Sequence, residues 1–260
     1  MASGTNLDPT PPEEGARVTI LAGPYGSGKT EIAINRALAA GRGARTAIAD
    51  LDIVNPYFRS REMRERLEEE GIQVVAPRGS MAQADLPALS GDLPRVLADP
   101  GFLRILIDLG GDPAGARLLG NFRPHLERTD FAFFMVVNPN RPFTTTPEEI
   151  AASLRAIESA AGIPMTGLLS NPHLIDLTEP ETVIQGHEIV KRGAALLDLP
   201  VAALFYVPEF LGDWVPETDG CPVIPCERFL LPPWHEDMKR MAPYRDRRSL
   251  MDPWAGPDKR

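Results

Sequence analysis

The chain has 260 residues, and 27 Lys and Arg against 36 Asp and Glu leave a formal charge of −9, which argues against a nonspecific nucleic-acid binder. Hydrophobic residues make up 43% of it, enough to build a substantial core in one large α/β domain or two small ones. No stretch approaches the roughly 18–20 continuous apolar residues of a membrane span, and the first residues lack a basic segment followed by an apolar run, so a cytoplasmic protein without a stable membrane anchor is expected.

Prolines crowd the first dozen and the last thirty positions, so 1–15 reads as a disordered leader and 236–260 as a tail. From Arg17 to Ala22 a short β-branched and apolar run ends in a Gly-rich turn, the pattern of a buried strand. Good helix formers occupy Lys29 to Ala40, with Ile34 and Leu38 four apart and Gly41 placed to stop the helix. Strands are predicted over 46–49, 73–76, 102–107, 131–137, 166–169 and 201–207, with a helix over 60–70 whose inner face carries Met63 and Leu67. Thr146-Pro147-Glu148-Glu149 opens another helix with an N-cap Thr, Pro at the first helical position and a capping-box Glu, and Thr178-Glu179-Pro180-Glu181 repeats the device. Seven strands with helical crossovers predict one doubly wound, mainly parallel sheet flanked by helices over 16–235.

The strongest signal is Gly23-Pro24-Tyr25-Gly26-Ser27-Gly28-Lys29-Thr30, which satisfies G-x-x-x-x-G-K-[ST] between a predicted strand and a predicted helix. Glycines let such a loop curl until its N–H groups point at phosphate oxygens, and the helix after it adds the positive end of its dipole. Lys29 is expected to bridge the β- and γ-phosphates. Thr30 is expected to hold Mg²⁺ through its hydroxyl, because magnesium prefers oxygen ligands and completes its octahedron with water and phosphate.

Two further strands end in carboxylates, at Asp50 and Asp52 in Ala49-Asp50-Leu51-Asp52 and at Asp108 in Asp108-Leu109-Gly110-Gly111. In an open parallel sheet that edge receives the ligand, which puts Asp108 in reach of the Mg²⁺ shell and Asp50 or Asp52 in reach of a water near the γ-phosphate. On the phosphate loop, Asp50-Leu51-Asp52-Ile53 and Asp108-Leu109-Gly110-Gly111, residues 17–210 resemble the SIMIBI class of P-loop NTPases, in particular the CobQ/CobB/MinD/ParA nucleotide-binding group. The resemblance implies that Asp52 orients the attacking water and that Asp108 contacts Mg²⁺ through water. It also implies that Asn171 reads the base and that Pro208 packs along base and ribose.

MinD- and ParA-type members carry a second lysine after the first glycine of the loop, which reaches across a nucleotide-sandwich dimer; here that position is Pro24. The resemblance therefore allows a homodimer but supplies no cross-subunit lysine. Arg59 and Arg61 are candidates to replace its charge. Related GTP-dependent metallochaperones read guanine with Asn-Lys-x-Asp, whereas this chain has Ser170-Asn171-Pro172-His173, so ATP is expected. The polar stretch Asn138-Pro139-Asn140-Arg141 follows the predicted strand 131–137 at the same sheet edge, where its groups could line the site or receive a partner, but it reads first as a capped loop leading to the Thr146 helix.

The expected function is a Mg²⁺-dependent ATP-hydrolysing switch acting on a protein partner. Two alternatives stand beside it. One is an ATP-dependent ligase or kinase of the CobB or dethiobiotin-synthetase kind, with Arg59, Arg61 or Arg141 binding a substrate carboxylate. The other is a nucleotide-dependent maturation factor for a metalloenzyme, with metal held by Cys221 and Cys226. Those two cysteines, with four residues between them, make neither a tetrahedral zinc site nor a disulfide framework alone, and the scattered His125, His173, His187 and His235 add no ligand cluster.

Overall fold

A computed structural model of the chain describes residues 16–51, 61–75, 86–111 and 113–230. The expected leader at 1–15 and tail at 236–260 lie outside the described residues. Contacts group the chain into Met1–Glu227 and Arg228–Arg260, and the first of these carries the fold. Its first half runs β1 (Val18–Ala22), α1 (Lys29–Gly41), β2 (Thr46–Leu51), α2 (Arg61–Glu69), β3 (Gln73–Val75), α3 (Leu86–Ala98), β4 (Arg104–Leu109), α4 (Pro113–Gly120) and α5 (Arg123–Leu126). The second half runs β5 (Phe131–Val137), α6 (Pro147–Ala161), β6 (Gly167–Ser170), α7 (Pro180–Leu197), β7 (Val201–Tyr206), α8 (Pro208–Leu211) and β8 (Val223–Pro225).

The strands form one eight-stranded sheet in the order β3-β2-β4-β1-β5-β6-β7-β8, and every pairing is parallel. That is the doubly wound sheet expected from the apolar runs. β1, β2 and β6 are buried along their whole length, which is why they show no alternation of apolar and polar residues. Helices shield the faces: Met63 and Leu67 of α2 are buried, and Ile150, Leu154 and Ile157 of α6 join Val190 and Ala194 of α7 in the main core. Side chains of the size of Leu or Ile contribute about 1.5–3 kcal/mol each when fully buried.

Local hydrogen bonding distinguishes two helix starts that look alike in sequence. At α6 the predicted cap is present, the Thr146 hydroxyl accepting from Glu149 N at 3.2 Å. At α7 the cap residue is Glu179, one position later than the analogy with Thr146 suggests. Thr178 instead closes the preceding turn, accepting from Leu174 N at 2.9 Å and donating to Ile175 O at 2.6 Å. The unpredicted strand β8 has only three residues and pairs with β7 from Leu204↔Val223 to Tyr206↔Pro225.

The strand order decides where a ligand sits. After β1 the chain crosses to β2 and β3, returns to place β4 beside β1, and then places β5 on the other side of β1. The connections therefore diverge at the carboxyl end of β1, the crevice where doubly wound sheets receive ligands.

Candidate functional site

Residues 23–28 fill that crevice as the loop joining β1 to α1. Gly26 and Gly28 have φ of 78° and 88°, in the left-handed region that side chains avoid. Space is as restrictive as conformation: a side chain at Gly28 would collide with the Asn171 amide, and one at Gly111 would collide with the Gly23 carbonyl. Gly111, in the loop beyond β4, thus lets that backbone press against the phosphate loop. Ser27, Lys29 and Thr30 are buried, while Tyr25 projects with 67% of its surface exposed. Gly28 is the N-cap of α1 and makes no side-chain cap, so the first N–H groups of the helix open into the loop.

Thr30, in the first turn of α1, donates from Oγ1 to Asp108 Oδ2 at 2.5 Å. Asp108 is 1% exposed and stands in register with Leu21 on one side and Asp50, also buried, on the other. The sheet therefore aligns the carboxyl ends of β1, β2 and β4 and brings a hydroxyl and a carboxylate together beside the loop. These are the hard oxygen donors that Mg²⁺ takes. Among the described residues no group of three His, Cys, Asp or Glu side chains is poised for a metal ion. An ion here would complete its shell with phosphate and water, as Mg²⁺ does at phosphate sites. Asp52 and Arg59 lie outside the described residues, as does the side chain of Arg61.

Two more loops close on the same edge. Asn171, immediately after β6, donates from Nδ2 to Ser27 O at 2.8 Å, which places it against the phosphate loop. Asn138, immediately after β5, is completely buried and ties three segments together. Its Nδ2 donates to His173 O at 3.0 Å and to Gly26 O at 3.4 Å, and its Oδ1 accepts from Asn140 N at 3.1 Å and His173 N at 3.2 Å. The Asn138 stretch leads to the capped α6 as expected, and it also knits the site together. An Asn-Pro after an apolar strand is the sequence signal for that second role. Pro208 begins α8 directly after β7 and is half-buried.

The cysteines do not converge. Cys226 is buried past the end of β8, where its N–H bonds Tyr206 O at 2.8 Å. Cys221 precedes β8, its thiol 3.5 Å from Val201 O at the other end of β7. Five residues of extended chain span about 16 Å, far beyond the reach of a disulfide. Burial, with the Glu31 carboxylate nearby, pushes the Cys226 thiol up to about 12. Burial also raises Cys221, which lines a cavity of about 760 Å³ between α7 and residues 217–222. His187, on the same cavity, is held below the usual imidazole range by burial and bonds Ser170 Oγ at 3.0 Å.

No family model matches the chain, and a search of curated sequences returns no relative. Solved structures do match. The cell division protein FtsY from Thermotoga maritima is 16% identical over 76% of this chain and 65% of that chain, with a TM-score of 0.54. The fold is that of a SIMIBI-class P-loop NTPase. FtsY from Mycoplasma mycoides gives 18% identity and a TM-score of 0.47 over 72% of this chain and 59% of that chain. FlhF complexed with GTP and Mg²⁺ gives 13% and 0.40 over 63% and 57%. The chain spans less than two thirds of the length of each of these structures. At this identity the likeness establishes the fold; ligand, partner and reaction are set by the residues grafted onto it.

Proposed function

We propose that the chain is a Mg²⁺-dependent ATP-binding protein that hydrolyses ATP and uses the difference between its nucleotide states to control a protein partner in the cytoplasm. The observation that supports this most directly is the Thr30–Asp108 contact beside a glycine loop at the sheet's switch point. In this proposal the N–H groups of 23–29 surround the phosphates, and Lys29 offsets charge on the β- and γ-phosphates. Thr30 and Asp108 would hold Mg²⁺, Asp108 through water as the resemblance implies, and the ion would supply neutralisation of phosphate charge. Asp52, one residue beyond the end of β2, is assigned the alignment of the attacking water by family resemblance.

The residues after Asn171 favour ATP over GTP. A guanine-reading carboxylate belongs three positions beyond that asparagine, and this chain has Leu174 there, 40% exposed. Asn171 and Pro208 are then the residues proposed to face the base. Pro24 offers no cross-subunit cation, so a homodimer is not required for the phosphate site. The separation of Cys221 from Cys226 weighs against a metal-handling role for that pair within one chain. Calorimetric titration with Mg²⁺-ATP and Mg²⁺-GTP tests the base assignment. ATP should bind at least about tenfold tighter, the equivalent of one good hydrogen-bonding difference. Tighter binding of GTP would overturn the base assignment.

A further inference from the structure

The loop between β5 and α6 brings a cation to the phosphate loop from within the same chain. Arg141 N donates to Asn138 O at 3.1 Å, and Thr144 Oγ1 bonds Asn138 O at 2.8 Å and Arg141 O at 3.2 Å, so the loop is held on the same buried asparagine that grips Gly26 and His173. From there the Arg141 side chain lies over Gly26. A methyl group at that glycine would stand 3.0 Å from Arg141 Nε and 3.2 Å from its Cδ. The Nε is buried and has no hydrogen-bond partner among the described residues, and the same holds for Nδ2 of the adjacent Asn140 and for Oγ of Ser27 within the loop.

Buried donors without acceptors are costly, most of all on a charged group. Two of these three belong to consecutive residues of one loop, and the third belongs to the phosphate loop itself. An anion bound in the loop would give them acceptors. A planar guanidinium is suited to phosphate because it donates along fixed directions and keeps its charge at every physiological pH. We infer that Arg141 is a phosphate-contacting residue supplied in cis, which takes over at this site the positive charge that Pro24 cannot provide. The inference rests on the proposed nucleotide function and adds to it a specific residue, a specific loop and independence from a second copy. Arg59 and Arg61, considered from sequence as replacements, are not needed for it.

The test uses the full chain with Mg²⁺-ATP, Mg²⁺-GTP, ADP and AMP as probes. Wild type, Arg141→Ala, Arg141→Lys and Lys29→Ala are compared by calorimetric binding, by phosphate release and by melting without nucleotide. Arg141→Ala should weaken triphosphate binding by about 10- to 100-fold, the range for a charged hydrogen bond. Its effect should shrink from tri- to monophosphate, and Arg141→Lys should recover part of the loss because charge survives without the fork. Melting of the nucleotide-free protein should stay close to wild type in both variants. Mixing Arg141→Ala with Lys29→Ala should restore no turnover, since the arginine acts within its own chain.

Unchanged triphosphate affinity in Arg141→Ala, or a loss equal for AMP and ATP, would overturn the inference while leaving the proposed function standing. Recovery of turnover in the mixture would overturn the claim that Arg141 acts in cis. If wild type binds neither nucleotide, the proposed function fails first and this inference with it.

Discussion

Thr30 and Asp108 stand 78 residues apart in sequence and 2.5 Å apart in space, and the register of β1 with β4 joins them. A threonine at the second position of α1 has one hydroxyl to give. In the described structure it goes to Asp108; in the proposed complex its oxygen and the Asp108 carboxylate would both serve to hold Mg²⁺. Thr30→Val keeps the shape and removes the oxygen. It should lower Mg²⁺-dependent ATP affinity by about tenfold or more, while binding measured in EDTA changes little. Equal losses with and without the ion would show that Thr30 acts through packing alone. The cysteines give a second test at this scale. A thiol pushed up to about 12 carries almost no thiolate at neutral pH, and Cys226 is buried as well. A thiol reagent on the native chain should therefore modify Cys221 before Cys226, and denaturant should make both react. Simultaneous fast labelling in the native state would contradict the burial of Cys226.

At the scale of elements, two residues near each other in sequence should behave differently. Thr146 caps α6 on the surface, so Thr146→Ala should cost about 1 kcal/mol and leave nucleotide binding intact. Asn138 is buried and serves three loops at once. Asn138→Ala leaves the His173 N–H and C=O without that partner, and it should cost about 2–4 kcal/mol in urea unfolding and weaken nucleotide binding as well. Equal effects from the two substitutions would refute the role given to Asn138. The difference also marks how far the sequence could be read. β5 was legible to the residue, because seven apolar residues in a row have few other uses, and α6 was legible from its Thr-Pro-x-Glu start. The phosphate loop was legible because only Gly satisfies its φ values and close contacts. The place of Asn138 and Arg141 at the sheet edge was legible from the strand before them, but their contacts were not, since these come from the packing of β5 beside β1 and β6, which a linear pattern does not carry. β8 was missed because three residues show no period, and α3 because Pro94 lies within it and breaks the usual helix signature.

For the whole molecule, the all-parallel sheet places loops from β1, β4, β5 and β6 at one carboxyl edge, and the chemistry of the chain collects there. Exposed Tyr25, Phe143 and Leu174 stand on three of those loops, so the proposed partner has apolar surface to meet at the same edge that is proposed to bind phosphate. Among the described residues no helix is long and apolar enough to cross a membrane. Ligand binding to the folded state must raise its stability by mass action, about 2.7 kcal/mol at a hundredfold excess over Kd. The central claim is that this edge binds and hydrolyses a nucleoside triphosphate with Mg²⁺. Phosphate release from ATP by the purified full chain, with Mg²⁺ and with EDTA, beside Lys29→Ala, tests it most directly. The account predicts slow turnover by wild type that requires Mg²⁺ and disappears in Lys29→Ala. Turnover that survives Lys29→Ala, or a wild-type chain that releases no phosphate under any of these conditions, would contradict it.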